Sequence, residues 1–138
     1  MRVFLLVAAC LVGASGFFPG ARAADDAASA QSVISSQIDA IGRGDATAAY
    51  SHAAPAIQQL FSSPDIFMAM VRQNYAPLYR PKHFEFGKSG ASNGTIMQHV
   101  RIVDSDGVTW EALYSLEQQP DGSIKITGCS LLKADQEA

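Results

Sequence analysis

The chain has 138 residues, with 10 basic against 13 acidic side chains, a formal charge of −3 and 48% apolar composition. That balance excludes the basic footprint nucleic-acid binding needs, and gives no electrostatic reason to sit on anionic lipid. Removing the leader described next leaves 115 residues, one domain's worth, with 8 basic against 13 acidic and a formal charge of −5.

Residues 1–23 read as a signal peptide. Arg2 supplies the positive start, Val3 to Val12 an apolar stretch, and Ala21-Arg22-Ala23 the small-x-small pattern at which such leaders are cut. The apolar run is too short and wrongly flanked to span a bilayer, so the mature form carries no membrane span. Val7-Ala8-Ala9-Cys10 resembles a lipoprotein box but lies too close to Met1 to follow an apolar stretch. Cleavage after Ala23 predicts a periplasmic or secreted protein whose one remaining cysteine is Cys129. No Cys-x-x-Cys or neighbouring base activates that thiol, so it reads as a small buried hydrophobe.

The mature chain, residues 24–138, reads as a single α+β domain in which helices precede an antiparallel sheet. Ala30, Ile34, Ile38 and Ile41 form one apolar stripe at helical period, and Gly42 and Gly44 end that helix. Asp45 is placed to cap a short helix over Ala46 to His52, and Pro55 suits the first turn of a third, running to Phe61. Ser63-Pro64-Asp65 gives a further start signal for Ile66 to Asn74, with Phe67, Met70 and Val71 facing inward. Tyr75 to Pro81 then reads as an extended connection, His83 to Phe86 as a first strand, and Gly87 to Gly94 as a loose loop. Asn93-Gly94-Thr95 matches a glycosylation sequon but reads as a turn before a strand.

From Thr95 to Lys133 three strands are joined by Asp104-Ser105-Asp106-Gly107 and Gln119-Pro120-Asp121-Gly122. Both fit a three-residue hairpin loop with Gly at the left-handed position. The loop length sets the register. Ile102 is expected opposite Trp110, Gln98 opposite Tyr114 and Leu116 opposite Ile126; Tyr114 is expected opposite Gly128, Ala112 opposite Ser130 and Trp110 opposite Leu132. The other face then gains Arg101–Glu111 and Glu117–Lys125 pairs.

Three stretches carry a resemblance: Gln73-Asn74-Tyr75-Ala76-Pro77-Leu78-Tyr79-Arg80-Pro81, Asp106-Gly107-Val108-Thr109-Trp110-Glu111-Ala112-Leu113-Tyr114, and Asp121-Gly122-Ser123-Ile124-Lys125-Ile126-Thr127-Gly128-Cys129. In these, and over roughly Ser32 to Leu132, the chain resembles the DUF4864 proteins, bacterial and typically exported. The resemblance implies an NTF2-like (SnoaL-like) cone, helices packed on a curved antiparallel sheet, and brings no assigned activity. Relatives within the wider fold include ketosteroid isomerase-like enzymes and non-catalytic binding or dimerising modules, and fold does not choose between them.

The register puts no Asp, Glu, His, Lys or Arg on the meander's inner wall, whereas proton transfer needs a tuned acid or base. Asp39 and His52 are the helical groups available for such a role, and both read as ordinary structural residues. No catalytic residue and no cofactor is assigned. His83 and His99 lack the spacing and company of a metal site. Gln98, Tyr114 and Ser130, with Trp110 as a wall and Tyr75 or Tyr79 at the mouth, make the candidate pocket for a small apolar ligand. The leading expectation is therefore non-catalytic binding of such a ligand or of an envelope protein. A ketosteroid isomerase-like or hydrolytic enzyme with its acid–base group on a helix is the alternative, and a structural dimerising accessory protein a third. Met97, His99, Arg101, Val103, Leu113, Cys129 and Leu131 are expected on the outer face, apolar enough to predict a homodimer through it.

Overall fold

The computed structural model describes residues 19–134, with side chains from residue 25 onward. Four helices precede the sheet: α1 (Pro19–Gly42), α2 (Ala46–Ser51), α3 (Pro55–Leu60) and α4 (Pro64–Asn74). The leader expected over residues 1–23 falls outside the described residues up to position 18, and Pro19 to Ala23 form the start of α1. Ala30, Ile34, Ile38 and Ile41 are all buried, as the stripe requires, together with Ala40 and Gln37. At the end of α1, Asp45 N–H bonds Ala40 O and Gly44 N–H bonds Ile41 O, while Gly44 takes φ +68°. That closure needs a left-handed residue, which glycine supplies without strain.

Asp45 caps α2 by accepting from the Ala48 amide at 3.0 Å, and Ser63 caps α4 by accepting from Ile66 at 3.2 Å. Pro55 and Pro64 each begin their helix, where a missing N–H costs nothing. Phe67 and Val71 are buried and Met70 partly so, with Met68 as an unforeseen fourth contact. The connection expected to be extended instead folds into a 3₁₀ turn over Ala76–Leu78 that buries Pro77 and Leu78. Tertiary burial there overrides the local bias of a proline-flanked segment.

The sheet is a four-stranded antiparallel meander in sequential order: β1 (His83–Ser92), β2 (Thr95–Val103), β3 (Thr109–Gln118) and β4 (Ile124–Lys133). Both hairpin loops form as expected, with Gly107 N–H on Asp104 O and Gly122 N–H on Gln119 O, and positive φ at both glycines. The β2–β3 register agrees at every position, from Thr95 opposite Glu117 to Val103 opposite Thr109. Its outer face carries the Arg101–Glu111 ion pair at 2.9 Å.

Two departures from expectation concern the outer strands. The segment over Gly87–Gly94 is not a loop: β1 continues to Ser92 and turns through Asn93 and Gly94, both at positive φ. Two adjacent left-handed residues make the two-residue hairpin turn for which Asn-Gly is the strongest local signal. Within β1, Gly87 and Lys88 together oppose His99, a bulge that shifts the register by one.

The second departure is in β4. Leu116 opposes Ile126 as expected, but the next pair is Ser115 with Gly128, so Thr127 is an extra residue. Every later pairing is displaced by one: Tyr114 faces Cys129, Ala112 faces Leu131 and Trp110 faces Lys133. A one-residue slip exchanges the faces. Cys129 and Leu131 therefore pack against the core, while Ser130 and Leu132 are exposed. The bulge sits beside a tertiary constraint on β4. Ile126 donates to His52 O and accepts from Ala54 N, both at 2.8 Å, so this edge of the sheet is tied to the α2–α3 connection.

Candidate functional site

A cleft of about 240 Å³ opens between α4 and the bulged part of β4. Phe67, Met70 and Val71 of α4, Ile41 of α1, and Ile57 and Phe61 of α3 and its end make it predominantly apolar. Tyr75 and Leu78 continue the wall beyond α4, and Ile126 to Cys129 form the side made by β4. The polar residues in its lining are Gln37, Tyr75, Thr127 and Cys129. None of the lining residues is Asp, Glu, His, Lys or Arg.

The local fold explains these placements. Tyr75 ends α4, and its backbone N–H bonds Val71 O at 2.7 Å. That turn carries the ring toward β4, where its hydroxyl donates to Cys129 O at 2.9 Å. Gln37 lies one residue before Ile38 on α1 and donates through Nε2 to Ala49 O at 3.2 Å, holding α1 to α2. Thr127, the extra residue of the bulge, bonds Ser115 through paired hydroxyls at 2.9 Å. Bulges often lie beside functional sites because they re-aim a strand.

The chemistry at this wall is that of protonated groups. Burial pushes the Cys129 thiol from its ordinary 9.0 up to about 12, against a smaller opposing effect of the Tyr114 hydroxyl. Tyr75 is raised by burial and then by the nearby Cys129, and Tyr114 is raised further by the same causes in the same order. The Tyr114 hydroxyl is buried without a hydrogen-bond partner of good geometry; the adjacent Cys129 thiol interacts with it weakly. These groups stay neutral at physiological pH, so none is a poised base or nucleophile.

Of the pocket residues expected from sequence, the structure brings only Tyr75 to the cleft. Tyr114 is fully buried in the sheet. Gln98 is also fully buried, accepting from Gln31 Nε2 at 3.3 Å and donating to Gly87 O at 3.1 Å and His99 O at 2.8 Å. Its amide is spent on bridging the β1 bulge. Trp110 lies at the far end of β3, where Nε1–H donates to Asp104 Oδ2 at 2.9 Å and the Lys133 ammonium stands over its ring. Ser130 was expected on the inner face, and the Thr127 bulge turns it outward. Tyr79 is exposed and stacks beneath the Arg80 guanidinium.

The two helical acid–base groups stand apart from the cleft lining. Asp39 is exposed on α1. His52, the C-cap of α2, is lowered by burial and by the neighbouring Lys125. Sequence reasoning did not single out Gln37, and it put Cys129 on the outer face. The signal for the latter was present: apolar residues fall on even positions through Ile126 and on odd positions at Cys129 and Leu131, with Thr127-Gly128 between.

Among the described residues no helix is long and apolar enough to cross a membrane, and no group of three or more His, Cys, Asp or Glu converges on one point. The family described as a domain of unknown function (DUF4864) matches residues 23–138. An NTF-2-like protein of unknown function from Silicibacter pomeroyi DSS-3 has a similar structure, at 17% identity and a TM-score of 0.57. The likeness spans 80% of this chain and 97% of that one. At that identity it speaks for the fold alone, helices followed by a curved antiparallel sheet. No curated protein matches the chain.

Proposed function

The chain belongs to the DUF4864 family, which brings no assigned activity, and we propose that it is an exported binding module that takes a small apolar molecule in the cleft between α4 and β4. The observation that carries this reading is the cleft's composition. It is an apolar hollow of about 240 Å³ with a few polar atoms at fixed places and no ionisable acid or base of ordinary pKa in its lining. An apolar cavity of about 150 Å³ suffices to hold a benzene ring, so a substituted single ring or a short branched chain fits here. Small-molecule sites are built this way, with hydrophobic walls giving affinity and a few polar groups giving orientation. The proton-transfer alternative lacks support from the same lining.

Export rests on the Arg2 start, the Val3–Val12 apolar stretch and the Ala21-Arg22-Ala23 pattern, with the family match taking up at residue 23. Native mass spectrometry of protein purified from its own envelope tests both parts. The expected mass is that of residues 24–138 with a retained neutral small molecule, and Met70→Trp, which fills the cleft, loses that adduct. An unprocessed chain overturns export. An adduct kept by Met70→Trp overturns the cleft as its seat.

A homodimer through the outer sheet face is favoured by a separate observation. Leu132 is 51% exposed beside Leu113, His99 and Ser130, with the Arg101–Glu111 pair alongside. The bulge withdraws Cys129 and Leu131 from this surface and puts Leu132 in their place. Light scattering after size exclusion tests it: dimer for the wild type, monomer for Leu132→Asp.

A further inference from the structure

Resting on the cleft-binding reading above, we infer that α3 is the cleft's movable wall, which swings outward to admit a neutral ligand whose alkyl chain is longer than the resting hollow holds. The other walls are anchored. Ile41 of α1, Phe67 and Val71 of α4 and Ile126 of β4 are buried in the core. The Tyr75 hydroxyl also ties the end of α4 to Cys129 O across the cleft. α3 differs: none of its residues is buried, Ile57 and the following Phe61 are only partly enclosed, and Leu60 is 77% exposed. A segment with so little apolar burial opens at a smaller cost than the domain as a whole.

A polar latch on Tyr50 of α2 holds this segment in place. The Tyr50 hydroxyl lies 2.7 Å from Phe61 O and 3.0 Å from Gln58 O, so its one proton serves two carbonyls at the end of α3. In return Gln58 Nε2 donates to Tyr50 O at 3.0 Å. The segment is pinned at both ends. Buried Ala54 donates its N–H to Ile126 O at 2.8 Å, and Ser63 caps α4. Between those pins, Pro55 to Ser62 carry Ile57 and Phe61, the part of the lining that this stretch supplies. Gln58 and Phe61 are partly exposed, so water can replace the hydroxyl at their carbonyls when the latch opens. The resting volume of about 240 Å³ exceeds the about 150 Å³ that holds benzene by only a short substituent. A ligand that fits the closed cleft needs no opening. A longer one binds only the open form, and its apparent affinity is reduced by the fraction open. The latch therefore sets the size limit.

Two probes that differ only in chain length test this: 4-ethylphenol and 4-hexylphenol, titrated calorimetrically against the mature protein, Tyr50→Phe and Gln58→Ala. Tyr50→Phe keeps the ring that packs on Phe67 at 5.7 Å and removes the hydroxyl alone. The ethyl compound should bind all three proteins with constant or slightly reduced affinity, which also shows that both variants fold. The hexyl compound is expected to bind Tyr50→Phe about tenfold tighter than the wild type, one neutral hydrogen bond's worth, and to gain in the same direction in Gln58→Ala. A substitution that merely loosened the fold would weaken both probes. Hydrogen exchange gives a second reading. The amides of Ile57 to Phe61 should gain protection with the ethyl compound and lose it with the hexyl one, because a six-residue helix off its latch frays. Hexyl affinity unchanged or weakened in both variants overturns the movable wall and leaves the cleft reading standing. If neither phenol binds any of the three proteins, the cleft reading fails and this inference falls with it.

Discussion

The Tyr75 hydroxyl donates to the main-chain carbonyl of Cys129 at 2.9 Å, joining the end of α4 to the edge strand β4 across 54 positions of sequence. Apart from side-chain packing, it is a direct polar tie between those two walls of the cleft. Tyr75→Phe keeps the ring and removes the bond. The cleft can supply water to the freed carbonyl, so the expected loss is about 1 kcal/mol of unfolding free energy rather than the larger cost of a sealed, unpaired group. Urea unfolding with an unchanged denaturant slope would show it. No change in midpoint would mean the bond contributes nothing net.

Cys129 is expected to be chemically silent in the folded protein. Its thiol is raised from 9.0 to about 12, chiefly by burial. Because the unfolded chain ionises first, this group's contribution is fully present below pH 9 and is lost as the pH rises from about 9 toward 12. Urea midpoints of the wild type should therefore fall more steeply between pH 8 and about 10.5 than those of Cys129→Ala. A thiol reagent at pH 8 should label the wild type only after unfolding. Rapid labelling of the native protein would contradict the enclosure of the thiol.

Much of this arrangement was legible in the sequence, and its failures have identifiable causes. The β2–β3 register was readable because three local signals coincide: alternation from Ile96 to Ile102, glycine at the left-handed position of the loop, and Arg101 opposite Glu111. Beyond Leu116 the same reading failed, because Ile126 gives both backbone groups to His52 and Ala54. That constraint comes from a part of the chain remote in sequence, and no property of β4 alone states it. The change of apolar phase across Thr127-Gly128 records its result. The candidate pocket was misplaced for a related reason. Tyr114 and Gln98 do face the helices as expected, but they fill the concave centre rather than line it. The open space lies instead at the margin, beside the bulge of β4. The Asn93-Gly94 turn was read as a turn before a strand, but the strand leading into it was missed because the exposed Gly/Ser segment over Gly87–Ser92 lacks apolar alternation.

Gly128 marks the tightest approach at the bulge. A Cβ built there would lie 2.9 Å from Ser115 Oγ, closer than real Cβ contacts come, and that oxygen is held by Thr127. Gly128→Ala should therefore be destabilising by about 1–3 kcal/mol through overpacking. In a Ser115→Ala background the obstructing atom is gone and the same substitution should cost much less. A double-mutant cycle reads this coupling directly. Equal costs in the two backgrounds would locate the strain in the backbone of the bulge instead.

Asp104 accounts for Trp110, the aromatic wall the sequence had offered to a ligand. Its carboxylate accepts from Trp110 Nε1 at 2.9 Å and from the amides of Asp106 and Val108 at the same distance, closing the β2–β3 loop. These bonds, the one from Trp110 first, hold Asp104 below its ordinary 3.8. The sign follows: its contribution is present above pH 3.8 and is lost as the pH falls through the lowered folded value. Asp104→Ala should flatten the acid limb of the stability profile, and Trp110→Phe should flatten it in part by removing the first of the three donors. Trp110 is the chain's single tryptophan, so its emission reports the site without labelling. In Asp104→Ala the emission should shift at neutral pH, where the wild type stays constant from pH 7 down to the onset of protonation.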